Sequence, residues 1–488
     1  MSVAAPSRPR GSAVVETRPL RHPDAASRQV MTRRGWWLVG MNFLVPGSAQ
    51  VLAGDRRLGR FGLGATLVLW VAVVVTAIFG ILAPLQLVSV LTGGWIPDWL
   101  SLLRWVPLTL VQVAIILYLV LWIVLTIDTL RLVRLVRTGR IARFGIAIVS
   151  VLLLVVSGSG AAWAASTAGT VRDAFIDLFG ESAPIVPPSD GYYNILLLGA
   201  DSGEGRDSMR YDSISVVSVN ATTGAVTITG IPRDMPNFPF APGPMADKYP
   251  DGHTGHANAT CGWGSGINQL RTEVEVCQDG DALYPDARAN GSTPGVEATK
   301  DAVEGIMGIE IPYYVFIDMH GFAALVDALG GVDITVEQRL PKGGGPTYEG
   351  EPAEKWASGW IEAGPQHMDG DTAQWYARSR YTTSDFDRMK RQRQLQEAIL
   401  AQATPQNVLE RFQDVINAGT AIVETDLPQG LITPTLLDLG LKAKDQPVTT
   451  LELTPAEGID EYHPQWDKIR EMVQNALHPP TPTATPGS

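Results

Sequence analysis

The chain has 488 residues, a formal net charge of -12 and 45% hydrophobic residues. That length leaves room for more than one domain. The acidic balance, with no basic domain standing out, argues against nucleic acid as the main partner.

Residues 1–30 lack an apolar core, which argues against a cleavable signal peptide, and residues 1–35 read as a disordered basic cytoplasmic tail. Residues 36–165 form an apolar region. Three segments, about 61–83, 105–127 and 144–165, are long enough to span a bilayer. A weaker segment, 36–53, contains Asn42, Pro46, Gly47 and Gln50, which predicts a short, broken or re-entrant element. Arginines set the orientation. Arg8, Arg10, Arg18, Arg21, Arg28, Arg33 and Arg34 lie in the first basic segment, Arg56, Arg57 and Arg60 in the second, and Arg131, Arg134, Arg137, Arg140 and Arg143 in the third. The loop from Ala83 to Arg104 is nearly uncharged. The positive-inside rule then places all three basic segments in the cytoplasm and everything after about 166 outside. The expected setting is a multi-pass cell-membrane protein, in contact with membrane lipid, with an extracytoplasmic domain.

That outer domain runs over 185–476 and mixes strands with helices. The expected fold class is α/β: transmembrane helices, then one domain with a mixed sheet flanked by helices. Asn194 to Gly199 is an apolar run of strand length that stops at Asp201. A Gly-rich loop with Arg206 and Arg210 follows, and a second strand starts at Asp212. A turn at Ala221–Gly224 leads to a third strand, Val226 to Ile231, ending in Pro232-Arg233-Asp234. If consecutive strands pair, Asp201, Arg210, Asp212, Arg233 and Asp234 converge at one sheet edge. Two carboxylates can hold a hard divalent cation and arginines grip phosphate, so the cluster points to phosphoryl chemistry.

The stretch Met235–Asn290 is rich in Gly, Pro, Asp and Asn and reads as a long loop bordering the site, with a helix over 264–276. Its His253 and His256 lack an evident third ligand, which leaves a zinc site unsupported. Cys261 and Cys277 show no CxxC spacing. An oxidising compartment favours a disulfide between them over two free thiols. Further helices are predicted over 295–307, 321–329, 370–379, 385–402, 405–418 and 464–477, with strands at Tyr313–Asp318, Val332–Val336 and Val448–Leu453. Residues 477–488 form a Pro/Thr-rich tail.

The segment Arg378 to Gln392 is the second informative stretch. Ser384 and Asp387 form a capping-box pattern that starts a helix. On it Arg388, Gln392, Leu395 and Ile399 share one face, with Arg391 beside it. Arg388 then sits at the rim of the core near a helix N-terminus, where anions are favoured. Arg393 falls on a neighbouring face. The competing reading is a solvated basic surface.

The runs Asn194–Asp201, Arg210-Tyr211-Asp212-Ser213, Ile231-Pro232-Arg233-Asp234, Leu325–Val332, and Ala377-Arg378-Ser379-Arg380 through Asp385, Arg388, Arg391 and Gln392 resemble the LytR-CpsA-Psr family. The resemblance covers about 190–400 through motifs. It implies an enzyme that moves a glycopolymer from a polyprenyl-pyrophosphate carrier to peptidoglycan through a phosphodiester. Asp201 and Asp212 match the family's magnesium aspartates, the ion being Mg²⁺ (or Mn²⁺). Arg206, Arg210, Arg233, Arg378, Arg380, Arg388, Arg391 and Gln392 are assigned around the pyrophosphate. Arg210, Arg233, Arg388 and Asp234 are the expected catalytic set, and an acidic residue of the cluster is the candidate base. The fold implied holds an apolar tunnel for the prenyl chain. Two departures bear on substrate choice: Gly264–Leu270 lacks the lysine that many members carry, with Lys248 the nearest alternative, and Tyr211 replaces a small residue. A hydrolase on the same lipid pyrophosphate and a non-catalytic envelope-binding or regulatory module remain as alternatives.

Overall fold

The computed structural model describes residues 20–96, 100, 103–179, 184–200, 210–256, 264–379, 381–402, 411, 414, 423–428, 430–443 and 446–479. The chain divides into two compact units, one from residues 1–87 and 106–170, the other from 88–105 and 171–488.

The first unit is helical: α1 (Arg28–Leu44), α2 (Ser48–Ala53), α3 (Arg56–Leu82), α4 (Val106–Val133) and α5 (Arg140–Phe179). Helices α3, α4 and α5 each contain a stretch long and apolar enough to cross a membrane. The weak segment 36–53 breaks between α1 and α2. Gly47 adopts φ of +94°, and a Cβ there would sit 2.4 Å from the Leu63 nitrogen, so only glycine fits. The polar residues that weakened this segment are consumed by its neighbours. Gln50 Nε2 donates to the Leu125 carbonyl at 2.8 Å and to Thr129 Oγ1 at 3.0 Å. Asn42 Nδ2 donates to Thr126 Oγ1 at 3.1 Å. Small polar side chains join helices in this way where water is scarce.

The second unit is built on a six-stranded mixed sheet: β1 (Tyr192–Ala200), β2 (Tyr211–Asn220), β3 (Val226–Ile231), β4 (Tyr313–Asp318), β9 (Val423–Thr425) and β10 (Thr449–Glu452). The order is β10-β3-β2-β1-β4-β9. Strands β1, β2 and β3 pair antiparallel in sequence, and β4 and β10 join parallel at β1 and β3. One face of the sheet buries Leu196, Leu198, Ile214 and Val216 against α6 (Pro294–Met307) and α10 (Trp466–Leu477). The other carries a second layer: α7 (Met319–Leu329), α8 (Gly370–Arg378), α9 (Asp385–Gln402) and two small antiparallel pairs. These are β5 (Val332–Val336) with β8 (Gly364–Met368), and β6 (Leu340–Lys342) with β7 (Gly359–Ile361).

Residues 264–276 are not the regular helix expected. They form a 3₁₀ turn over Ile267–Gln269, one α turn over Leu270–Thr272 and a π turn over Glu273–Cys277. Tertiary ties override helical propensity here. The Asn268 nitrogen is held by the Arg233 carbonyl at 2.9 Å. Glu273 is fully buried and takes hydrogen bonds from Tyr249 at 2.6 Å and from Gln278, and it meets His253 at 2.8 Å. His253 in turn stacks on Phe238. The expected helix at 405–418 lies almost wholly outside the described residues.

Candidate functional site

The site begins with one extra residue in β2. Gly199 pairs with Ser213 and Ala200 with Tyr211, so Asp212 is the bulge between them. Strict alternation would put Asp212 on the face of Ile214 and Val216, in the core. The bulge instead sends Tyr211 into that core and leaves Asp212 beside Ser213 on the opposite face, where both line a cavity.

Arg233 arrives from the end of β3 and meets three carboxylates. Its guanidinium lies 2.5 Å from Asp212, 3.3 Å from Asp234 and 3.6 Å from Asp385. Arg388 comes from the first turn of α9. Ser384 and Asp387 cap that helix reciprocally: the Asp387 nitrogen donates to Ser384 Oγ at 3.0 Å, and the Ser384 nitrogen donates to Asp387 Oδ2 at 2.9 Å. Arg388 Nη2 then reaches Asp385 at 3.0 Å, and Nη1 lies 3.8 Å from Asp212. Two arginines and two aspartates alternate around a ring, with Asp234 outside it. Asn268 fixes Asp234 through a 2.9 Å hydrogen bond.

The two arginines differ electrostatically. Burial works against charge on Arg233, but Asp385, Asp234 and Asp212 outweigh it and raise its pKa. Arg388 has only 5% of its side chain exposed. Burial, reinforced by the charge on Arg233, lowers its pKa despite Asp385 and Asp212. Among the described residues its Nε has no hydrogen-bond partner, and neither has Gln392 Oε1. Arg388 is therefore a buried cation short of negative charge, which an incoming anion would supply.

The cavity has a volume of about 510 Å³ and a lining of mixed character. Asp212, Asp318, Arg233, Arg378 and Arg388 provide its charged lining. Leu197, Val217, Ile228, Phe322, Leu395 and Ile399 provide an apolar one, drawn from the sheet, α7 and α9.

The structure brings Asp212, Arg233, Asp234 and Arg388 together, and adds Gln392 and Arg378 to the cavity wall. Arg210 is exposed and, among the described residues, stands outside the ion-pair cluster. Arg391 turns elsewhere. Its Nε donates to the Tyr376 carbonyl at 3.0 Å, and its Nη2 to the Ser379 carbonyl and to Thr383 Oγ1. It ties α9 to the end of α8 instead of facing the cavity. Arg393 is buried as well, 3.5 Å from Glu452 and bonded to Ser213 Oγ at 3.2 Å. Lys248 lies away from the cluster, donating to Gln278 at 2.5 Å. Asp201, Arg206, Arg380 and Cys261 lie outside the described residues, and Cys277 is disulfide-bonded. Sequence reasoning missed Asp385 and Asn268. The Asp385/Arg388 spacing of three was a usable signal, since such pairs face each other on a helix.

Among the described residues no group of three His, Cys, Asp or Glu side chains could hold a metal ion. Asp212 nevertheless offers a hard carboxylate with 36% of its side chain exposed. A hard carboxylate oxygen of this kind is the donor type that suits Mg²⁺ or Mn²⁺.

The LytR_cpsA_psr family model matches residues 179–476. A polyisoprenyl-teichoic acid–peptidoglycan teichoic acid transferase TagU of Halalkalibacterium halodurans is 30% identical over 237 residues, covering 48% of this chain and 61% of that protein. The TagU of Bacillus mycoides is 29% identical over 238 residues, covering 48% and 60%. This chain therefore spans about three-fifths of the length of these relatives. The crystal structure of protein gbs0355 from Streptococcus agalactiae superposes with a TM-score of 0.42 at 21% identity, covering 59% of this chain and 88% of that one. The family match extends over more than half of the sequence and takes in every strand of the central sheet, so the chain belongs to the LytR_cpsA_psr family.

Proposed function

We propose that this protein transfers a glycopolymer from a polyprenyl-pyrophosphate carrier to peptidoglycan, joining the two through a phosphodiester. One observation carries the reading: a single cavity sets the buried Arg388 and the half-buried Arg233 beside apolar side chains from the sheet and two helices. A prenyl pyrophosphate has the same two halves. Arg388 and Arg233 grip the phosphates, and the Leu197–Ile399 wall takes the isoprenoid chain.

A hydroxyl of the peptidoglycan attacks the phosphorus that bears the polymer. The bond from that phosphorus to the bridging oxygen breaks, and polyprenyl phosphate leaves with the charge. Arg388 and Arg233 stabilise that charge as it develops. The hydroxyl proton passes to an acidic residue of the cluster; Asp234, the most exposed of the three carboxylates at 66%, is the candidate acceptor. Asp212 and Asp201 would hold Mg²⁺ or Mn²⁺, which when bound neutralises pyrophosphate charge. The pyrophosphate linkage supplies the driving force, so no nucleotide is needed.

The test uses the full-length protein in detergent with a short polyprenyl-pyrophosphate-linked oligosaccharide, with and without peptidoglycan. Transfer predicts polymer bound to muramic acid by a phosphodiester, and release of polyprenyl phosphate that depends on acceptor. Equal release without acceptor, with free phosphorylated sugar as product, would make the protein a hydrolase.

The reading also requires the domain to face outward. The basic segments leading into α1, at the start of α3 and across the junction of α4 and α5 orient the membrane unit, leaving the catalytic domain outside with the wall. A periplasmic-type reporter fused after residue 475 is expected to be active, and one fused within 131–143 inactive. The reverse pattern would remove the domain from its acceptor.

A further inference from the structure

The phosphates and the lipid are accounted for by the site, but the sugar is not. Between β5 and β8 the chain makes an excursion, residues 337–363, whose β6–β7 hairpin forms an arm. Pro341, Gly343 and Gly344 of this arm line the same cavity as Arg233 and Arg388, and so does Tyr381. The arm is closed around Tyr381. The Tyr381 hydroxyl donates to the Gly344 carbonyl at 3.0 Å. Gly345 has φ of +100°, and a Cβ there would lie 2.1 Å from the Tyr381 ring, so the ring lies directly against bare backbone. Trp356, at the far end of the arm, meets the ring edge-on with centroids 5.0 Å apart. The Ser379 hydroxyl ties the arm down by donating to the Pro341 carbonyl at 3.0 Å.

A ring supported on two sides in this way is still 45% exposed, and Tyr348 on the same arm is 57% exposed. Such effort to fix an aromatic at the surface beside a charged cavity is out of keeping with simple core packing. A pyranose carries C–H bonds on its faces, and these complement the negative face of an aromatic ring, while its hydroxyls remain in water. A sugar joined through its anomeric oxygen to the outer phosphate starts beside the arginines, in the cavity that Tyr381 also lines.

We propose that Tyr381, braced by Gly345 and Trp356, is the subsite for the first sugar of the lipid-linked polymer. The inference rests on the reading of the cavity as a prenyl-pyrophosphate site. It makes the β6–β7 arm a determinant of donor choice, separate from the phosphate grip.

Binding of two probes to the full-length protein tests it: geranylgeranyl pyrophosphate, and the same lipid with one N-acetylhexosamine on its pyrophosphate. The wild type is expected to favour the sugar-bearing lipid by roughly tenfold, an ordinary contribution for one well-placed ring. Tyr381→Ala should abolish that preference while keeping wild-type affinity for the sugarless lipid. Tyr381→Phe should retain the preference, because the ring stays. An undiminished preference in Tyr381→Ala overturns the proposal, as does equal binding of both probes by the wild type. Parallel loss of both probes in Tyr381→Ala also overturns it, since the ring would then serve the fold. A wild type that binds neither probe sinks the prenyl-pyrophosphate reading itself, and the sugar subsite with it.

Discussion

Asp212→Ala should cut transfer by roughly 100-fold or more while the domain stays folded. The bulge explains both halves of that result. It puts Asp212 at the cavity rim with 36% of its side chain exposed, so truncation opens no hole in the core. Neither arginine is stranded by the change. Arg233 keeps Asp234 at 3.3 Å and Asp385 at 3.6 Å, and Arg388 keeps Asp385 at 3.0 Å. What disappears is the proposed hard oxygen ligand and one of the two carboxylates placed between both guanidiniums, 2.5 Å from one and 3.8 Å from the other. Asp212→Asn separates these roles. If the carboxylate holds Mg²⁺, asparagine fails nearly as badly as alanine, and the Mg²⁺ concentration needed for half-maximal transfer rises. If it only aligns arginines, asparagine keeps most of the rate and the Mg²⁺ titration is unmoved. Near wild-type transfer by the alanine variant would remove Asp212 from the mechanism altogether.

The meeting of Asp212, Arg233 and Asp234 was legible because strand pairing follows chain order here. Three runs of strand length with short connections leave few alternatives, and the ends of β1 and β3 then share an edge with the start of β2. The bulge was not legible. Both Tyr211-in and Asp212-in fit a period of two, and only the packing of Tyr211 against the core decides. The division of labour along α9 was also hidden. Arg388 and Arg391 are three residues apart and close on the helix surface. Which of them faces the cavity depends on where α8 ends, because Arg391 is captured by the Tyr376 and Ser379 carbonyls. Arg393 shows the same limit. It reads as surface by composition, yet it lies under the sheet edge against Glu452. Asp385 was concealed by its neighbour: Asp387 completes the capping box, so the first acidic residue of the helix was free to pair with both arginines.

Arg388 gives the sharper test, because its fold and function effects can be pulled apart. A solvated arginine would cost within about 0.5 kcal/mol when removed. Arg388 is buried and paired, so Arg388→Ala should lower stability by about 1–3 kcal/mol, the lower part of the range for breaking a charged contact whose partners can partly rehydrate. It should also cut transfer by roughly 100-fold or more, since a donor aimed at developing phosphate charge is lost. Arg388→Lys keeps the charge but not the planar fork, and should restore stability better than rate. Adding Asp385→Asn to Arg388→Ala removes the carboxylate that has lost its nearer partner, Arg388 at 3.0 Å, and keeps only Arg233 at 3.6 Å. Stability should then move back toward wild type, while transfer stays low. Arg393 is unsuited as a control, being buried itself. Lys390 serves instead: it is exposed and bound only to Glu337 among the described residues, at 2.6 Å. Lys390→Ala should leave both melting temperature and rate close to wild type. If the double variant recovers transfer along with stability, Arg388 supports the fold and the pyrophosphate is held by other groups. If stability recovers alone, and Asp385→Asn by itself keeps most of the rate although it removes a partner of Arg233 at 3.6 Å, the deficit in rate belongs to the phosphate contact of Arg388.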